Sequence, residues 1–143
     1  MEKDLNVIEK IIESPEKADL SKIPDLIRLF FKNNITKSKV DSYVGDYPTF
    51  IEPVYLEKKV KIGDDVLLGP NVYVGSGSEI ADYVEISNTI IFKKVRIGKN
   101  FKLNNCIVGK ESVFNFSNLN VRNCILKDSA NSEEELKKID FLI

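Results

Sequence analysis

The residues with the most reactive side chains are two thiols. Cys106 and Cys124 are the only cysteines in the 143-residue chain, eighteen positions apart in two near-copies, LNNCIVGK and VRNCILKD. A third copy, ISNTIIFK, carries Thr89 at the matching place. Such a pair could form a disulfide or redox couple, or contribute to a metal site. The chain has no histidine, however. That removes imidazole as general base, as nucleophile activator and as metal ligand at once. Two cysteines alone cannot complete a structural zinc site. The remaining acid–base candidates are carboxylates in tight turns, Asp64 and Asp82. The one stretch similar to a phosphate loop is VGSGSE, with Gly75 and Gly77.

The elements that hold these residues follow a period of six. One position in each six carries Val54, Val60, Val66, Val72, Ser78, Val84 and Ile90. Two residues on stand Leu56, Ile62, Leu68, Val74, Ile80, Ile86 and Phe92, and then a small residue such as Gly63, Gly69 or Ala81. Apolar residues two apart share one face of a strand. The GDD, GPN and GSG runs between them mark turns; Pro70-Asn71 suits a type II turn, and Asp65 and Gly77 occupy equivalent tolerant places. Each six is therefore a short strand and a turn, and three make a triangular coil of about eighteen residues. In this register both glycines of VGSGSE are turn residues, and Asp64 and Asp82 are solvated turn acids.

This pattern, over residues 54–126, resembles the hexapeptide-repeat family. The resemblance implies a left-handed parallel β-helix of about four coils. Residues eighteen apart then lie above one another, so Thr89, Cys106 and Cys124 form a vertical structural stack beside Asn88, Asn105 and Asn123. Neighbouring coils are ~4.8 Å apart, but parallel side chains hold their Cβ atoms wider than a disulfide prefers. The thiols are thus expected to be buried fillers. The step from Thr89 to Cys106 is seventeen, which places a shortened turn near Phe92–Val95, with Val95 and Ile97 inward. In SVFNFSNLNV, the inward set is read as Val113, Leu119 and Val121.

Outside the coils the composition changes. DLNVIEKIIE puts Leu5, Ile8, Ile11 and Ile12 on one helical face, and PDLIRLFFKNN does so with Leu26, Ile27, Phe30 and Phe31. Ser14-Pro15 separates the two helices and Asn33-Asn34 ends the second. These helices could offer a partner-docking face, but the favoured reading is a cap over the open edge of the first coil. SEEELKKIDFLI has Ser132 as a cap and three acids in a first turn, which predicts a C-terminal helix. Its Leu136, Ile139 and Ile143 would close the far end or pack between subunits. The predicted organisation is a helical cap and linker over 1–47, the β-helix over 48–128 and a C-terminal helix over 129–143.

Hexapeptide acyltransferases generally use a catalytic histidine, and γ-type carbonic anhydrases hold zinc between histidines. Neither chemistry has its essential residue here. A third branch carries the repeat as a non-catalytic module: the C-terminal β-helix of sugar-nucleotide pyrophosphorylases. The coil IGDDVLLGPNVYVG and the recurring Asn-Thr/Cys-Ile corner are most similar to that branch. The resemblance implies an assembly or regulatory module related to sugar-phosphate nucleotidyltransferases, with no catalytic, cofactor or metal residues. The alternatives are a sugar-directed acyltransferase lacking the histidine, with Asp64 or Asp82 as base, and a structural adaptor in a larger complex. No cofactor is expected. The expected partner is a second copy, with a trimer favoured by the resemblance, or a nucleotidyltransferase. Tyr73 and Tyr83 alternate with inward positions and are the candidate interface anchors, exposed in this register. A net charge of −1 favours neither nucleic acid nor an anionic membrane. The reduced thiols and the absence of a signal-like start suggest the cytoplasm.

Overall fold

The computed structural model describes residues 1–40 and 43–141. The chain is a mainly β, parallel β-solenoid of about four coils, preceded by two helices. Three parallel ladders form its sides. One joins β1 (Tyr43–Val44), β4 (Lys61–Ile62), β7 (Glu79–Ile80) and β10 (Arg96–Ile97). The second joins β2 (Thr49–Phe50), β5 (Leu67–Leu68) and β8 (Glu85–Ser87) to the first half of β11 (Phe101–Val108). The third joins β3 (Val54–Leu56), β6 (Val72–Val74) and β9 (Thr89–Ile91) to the second half of β11. Strand β12 (Leu119–Lys127) pairs with β11 along both halves.

The inward residues form one dry column that includes Val54, Leu68, Val74, Ile80, Ile86, Val95 and Leu126. Turns at the corners use residues at positive φ, among them Asp65 (53°), Asn71 (63°), Gly77 (73°) and Asn100 (59°). The turn at Pro70 has its positive φ at Asn71 as read, although the Gly69–Pro70 bond is cis. Coil spacing leaves little room at the strand ends. A Cβ at Gly75 would lie 2.5 Å from the Lys93 nitrogen, which explains the small residue at that place in the six. Ser78 fits the dry column because its hydroxyl donates to the Phe92 carbonyl (3.0 Å) and accepts from the Val95 amide (3.0 Å).

The shortened turn lies elsewhere than expected. Leu68 pairs with Ile86, and Val72 pairs with Thr89, so one residue is missing at the Ser87–Asn88 corner. Strand alternation therefore reverses there. Thr89 and Ile91 point inward, whereas Ile90 and Phe92, predicted to face the column, point outward. Further on, Ser112 and Phe114 take the buried places beside Val95 and Ile97. Val113 is the partner of Arg96, only half-buried and outside the core. Leu119 is buried and Val121 packs against the column, as read.

The reversal creates a second core on the outside of the third ladder. Tyr73, Ile90, Ile107 and Ile125 descend that face in successive coils. Helices α1 (Glu2–Glu13) and α2 (Ile23–Asn34) cover it with Ile8, Ile12, Ile23, Ile27, Phe30 and Phe31. The helices thus lie along the flank of the stack and not over the end of the first coil. Lys127 of β12 donates to the carbonyl of Ile12, 2.9 Å away, tying the end of α1 to the last coil. Asn34 donates to Asp4, 2.8 Å away, tying the end of α2 to the start of α1.

The expected C-terminal helix does not form among the described residues. Its acidic start makes one 3₁₀ turn, Glu133–Glu135, without a side-chain cap bond from Ser132. The chain then forms β13 (Lys137–Asp140), antiparallel to β12. A short isolated helix is marginal, whereas the open edge of β12 offers backbone partners and needs covering. Ile139 and Phe141 consequently join the flank core, with Phe141 buried, and Leu136 packs on the column. Ile143 lies outside the described residues.

Replacing Ile80 by Asp is expected to abolish folding, because an unpaired carboxylate would enter the column. Lys99→Asp, on the exposed side, is expected to shift the melting temperature little. Equal melts for the two variants, measured by circular dichroism, would contradict this packing.

Candidate functional site

The corner joining the second and third ladders carries the cysteine repeat. Residues of the αL type turn it in four successive coils: Asn71, Asn88 (φ 48°), Asn105 (56°) and Asn123 (56°). Asparagine tolerates this conformation because its short amide bonds locally. Here the amides also bond between coils. Asn71 Nδ2 donates to Asn88 Oδ1 (3.0 Å), and Asn88 Nδ2 donates to Asn104 Oδ1 (3.1 Å). A second run begins at Asn105, whose Nδ2 donates to Asn123 Oδ1 (2.8 Å). Asn104 and Asn105 thus sit at a break in the amide ladder.

Behind this ladder, facing the column, lie Thr89, Cys106 and Cys124, all fully buried. Thr89 Oγ1 accepts from the Cys106 amide at 3.3 Å and donates to the Ser87 carbonyl at 2.7 Å. Cys106 and Cys124 are register partners and free thiols, with their sulfurs 3.7 Å apart. The hydrogen bond to Cys106, then burial and the neighbouring sulfur, push the Cys124 thiol well above the ordinary thiol range. A thiolate at Cys124 is therefore disfavoured. No group of three or more metal-ligating residues occurs among the described residues.

The other candidate residues separate in space. Asp64 and Asp82 lie in successive turns of a different corner. Asp82 Oδ1 accepts the Asp64 amide at 2.8 Å, and Asp64 Oδ1 accepts the Asp46 amide at 2.8 Å. Both carboxylates thereby help hold the coils in register. Tyr73 does point away from the column, but its expected exposure is corrected: it is 4% exposed. Phe30 meets its ring edge-on at 5.6 Å, Tyr55 stacks on it at 5.9 Å, and its hydroxyl donates to Glu57 Oε2 at 2.8 Å. Tyr83 is 55% exposed and held at φ 60°. Tyr47, two coils earlier at the same corner, is 81% exposed at φ 58°, and the sequence reading missed it. The signal was available: Tyr47, Asp65 and Tyr83 are spaced by eighteen.

The amide corner is also the floor of a groove of about 630 Å³, whose other wall is α2. That wall supplies Ile27, Phe31 and Ile35 low down, and Arg28 and Lys32 one helical turn apart. No carboxylate lines the groove among the described residues. The coils that form its floor match a family model, the GMPPB C-terminal domain, over residues 50–137. The chain belongs to this family. The GMPPB C-terminal domain relates it to the sugar-nucleotide pyrophosphorylases. No curated protein matches the chain. All five asparagines of the groove fall within the GMPPB C-terminal domain match, whereas α2 lies before it. No helix among the described residues is long and apolar enough to cross a membrane.

Burial, then the hydrogen bond to Glu57, push the Tyr73 phenol above its usual range. A group whose folded pKa is raised contributes stability below its unfolded pKa, about 10 for tyrosine. That contribution is lost as pH rises beyond it. Denaturant melts should show stability falling above pH ~10, and Tyr73→Phe should remove that part of the fall. At neutral pH the variant should cost about 1 kcal/mol. An unchanged alkaline profile in the variant would contradict the assignment.

Proposed function

We propose that this chain is a non-catalytic assembly or regulatory module of sugar-nucleotide synthesis. The observation that carries the reading is the pair Tyr47 and Tyr83. An exposed tyrosine gains nothing by itself from a left-handed backbone, which costs a residue with a Cβ about 1 kcal/mol or more. Two of them share one corner, two coils apart or roughly 10 Å, with Asp65 between. Rigid aromatic side chains presented in this way are characteristic interface anchors.

Three further features support the reading. The histidine on which hexapeptide acyltransferases rely is missing from the sequence. Asp64 and Asp82, the substitute bases, are already bonded to backbone amides. Helices α1 and α2 occupy one flank, while the first ladder presents a flat face with Glu79 between Lys61 (3.9 Å) and Arg96 (3.2 Å). Exposed ion pairs of this kind add little stability but can fix the register between flat surfaces. The partner is a second copy of the chain, with a trimer favoured, or a nucleotidyltransferase.

Light scattering on the pure chain is expected to give an oligomer. The double variant Tyr47→Asn, Tyr83→Asn should dissociate it, or abolish capture of a nucleotidyltransferase, while raising monomer stability by about 1 kcal/mol or more. Loss of assembly with loss of stability would mean a folding defect instead. The chain should show no turnover with acetyl-coenzyme A and amino sugars, or with sugar phosphate and a nucleoside triphosphate. A monomeric protein with no nucleotidyltransferase partner would remove the proposal, and mutation-sensitive acyl transfer would replace it.

A further inference from the structure

The groove between α2 and the asparagine corner has the composition of a binding site. Its volume, about 630 Å³, lies within the usual range for small-molecule sites. Its hydrogen-bonding groups are only partly used by the protein. Asn104 Oδ1 accepts from both Ser87 Oγ (3.0 Å) and Asn88 Nδ2 (3.1 Å), and no further bond uses its Nδ2 group among the described residues. Asn105 commits its Nδ2 to Asn123, and its Oδ1 has no partner among the described residues. The same holds for Asn71 Oδ1 and Asn123 Nδ2 at the two ends of the ladder. Unused acceptors and donors therefore alternate along the floor, with Asn71 Oδ1 two coils before the Asn104–Asn105 pair and Asn123 Nδ2 one coil after it, at a coil spacing of roughly 5 Å. Alcohol hydroxyls, which donate and accept, match such a row, whereas a simple anion cannot use its acceptors.

The opposite wall supplies charge of one sign. Among the described residues Arg28 pairs only with Asp25, at 3.7 Å, with both side chains well exposed, a pairing worth little. Lys32 has no carboxylate within 4.0 Å among the described residues. Two cations one helical turn apart, above a floor free of carboxylates, suit a phosphate group. Amides and cations lining one groove select a ligand that carries both hydroxyls and phosphate.

We propose that the groove binds a phosphorylated sugar, either free or as the sugar-phosphate part of a nucleotide sugar. The floor reads the hydroxyls, with Asn104 and Asn105 at its centre, and Arg28 and Lys32 hold the phosphate. The site does not depend on the chain being an assembly module, because all its residues come from one copy.

The test follows the asparagine side-chain amide resonances of the intact chain by NMR. The probes are glucose 1-phosphate, UDP-glucose, free glucose and inorganic phosphate. One or both phosphorylated probes should shift the Asn104 and Asn123 resonances and bind at least tenfold more tightly than glucose or phosphate. The tighter of the two identifies the source. Arg28→Gln with Lys32→Gln, both on an exposed helix face, should keep the fold and weaken binding at least tenfold. Asn104→Ala should lower the preference for sugar phosphate over inorganic phosphate. The inference is overturned if neither phosphorylated probe shifts these resonances. It is also overturned if inorganic phosphate binds as tightly as they do, or if the double variant binds unchanged. Oligomeric state, measured on the same samples, reports separately on assembly.

Discussion

Everything in this chain depends on one repeated interaction, the backbone hydrogen bond from each strand to the coil beside it. Gly75 donates to Ile91, Phe92 to Val108 and Gly109 to Leu126, at 2.7–3.0 Å. Because successive coils must meet in register, the number of residues per coil can change only at a corner. Because side chains alternate along a strand, such a change exchanges the inside and outside for the strand that follows. The ladder also sets how closely strand ends approach. Gly75 is small for that reason, and Ser78 can be buried only because both its hydrogen bonds are to backbone of the same stack.

The missing residue at Ser87–Asn88 shows what this constraint can produce. It turns Ile90 and Phe92 outward, in line with Tyr73 below and Ile107 and Ile125 above. A solenoid side normally presents mixed polar residues. This one presents an apolar strip that two amphipathic helices cover. Tyr73 is the clearest instance: outward from the column, yet buried beneath Phe30. The helices and the coils therefore share one continuous structure, fastened at the far end by Lys127 on the Ile12 carbonyl.

Much of this was legible in the sequence, and the failures have physical causes. Val54 through Ile86 were placed correctly because an unbroken period of six carries its own phase. Ile90 and Phe92 were misplaced because both alternatives, inward and outward, are satisfied by an apolar residue, and only pairing decides. Phe114 was missed, and Val113 chosen, for the same reason. The C-terminal segment had local helix signals, but a neighbouring strand edge outweighed them. At the candidate site, the recurrence of Asn-Cys-Ile located the amide and thiol stacks. The groove itself was invisible, since its second wall comes from α2, which docks by tertiary packing about which no local pattern speaks. Tyr47 shared the eighteen-residue spacing with Tyr83 but lay before the clear repeats.

Helices α1 and α2 thus belong to the same cooperative core as the coils. Residue-resolved amide hydrogen exchange tests this most directly. The amides of Ile27–Phe31 in α2 are expected to exchange as slowly as those of Phe92 and Gly109 between coils, all through global unfolding. Rapid exchange throughout α2 with continued protection of Phe92 and Gly109 would contradict a shared core.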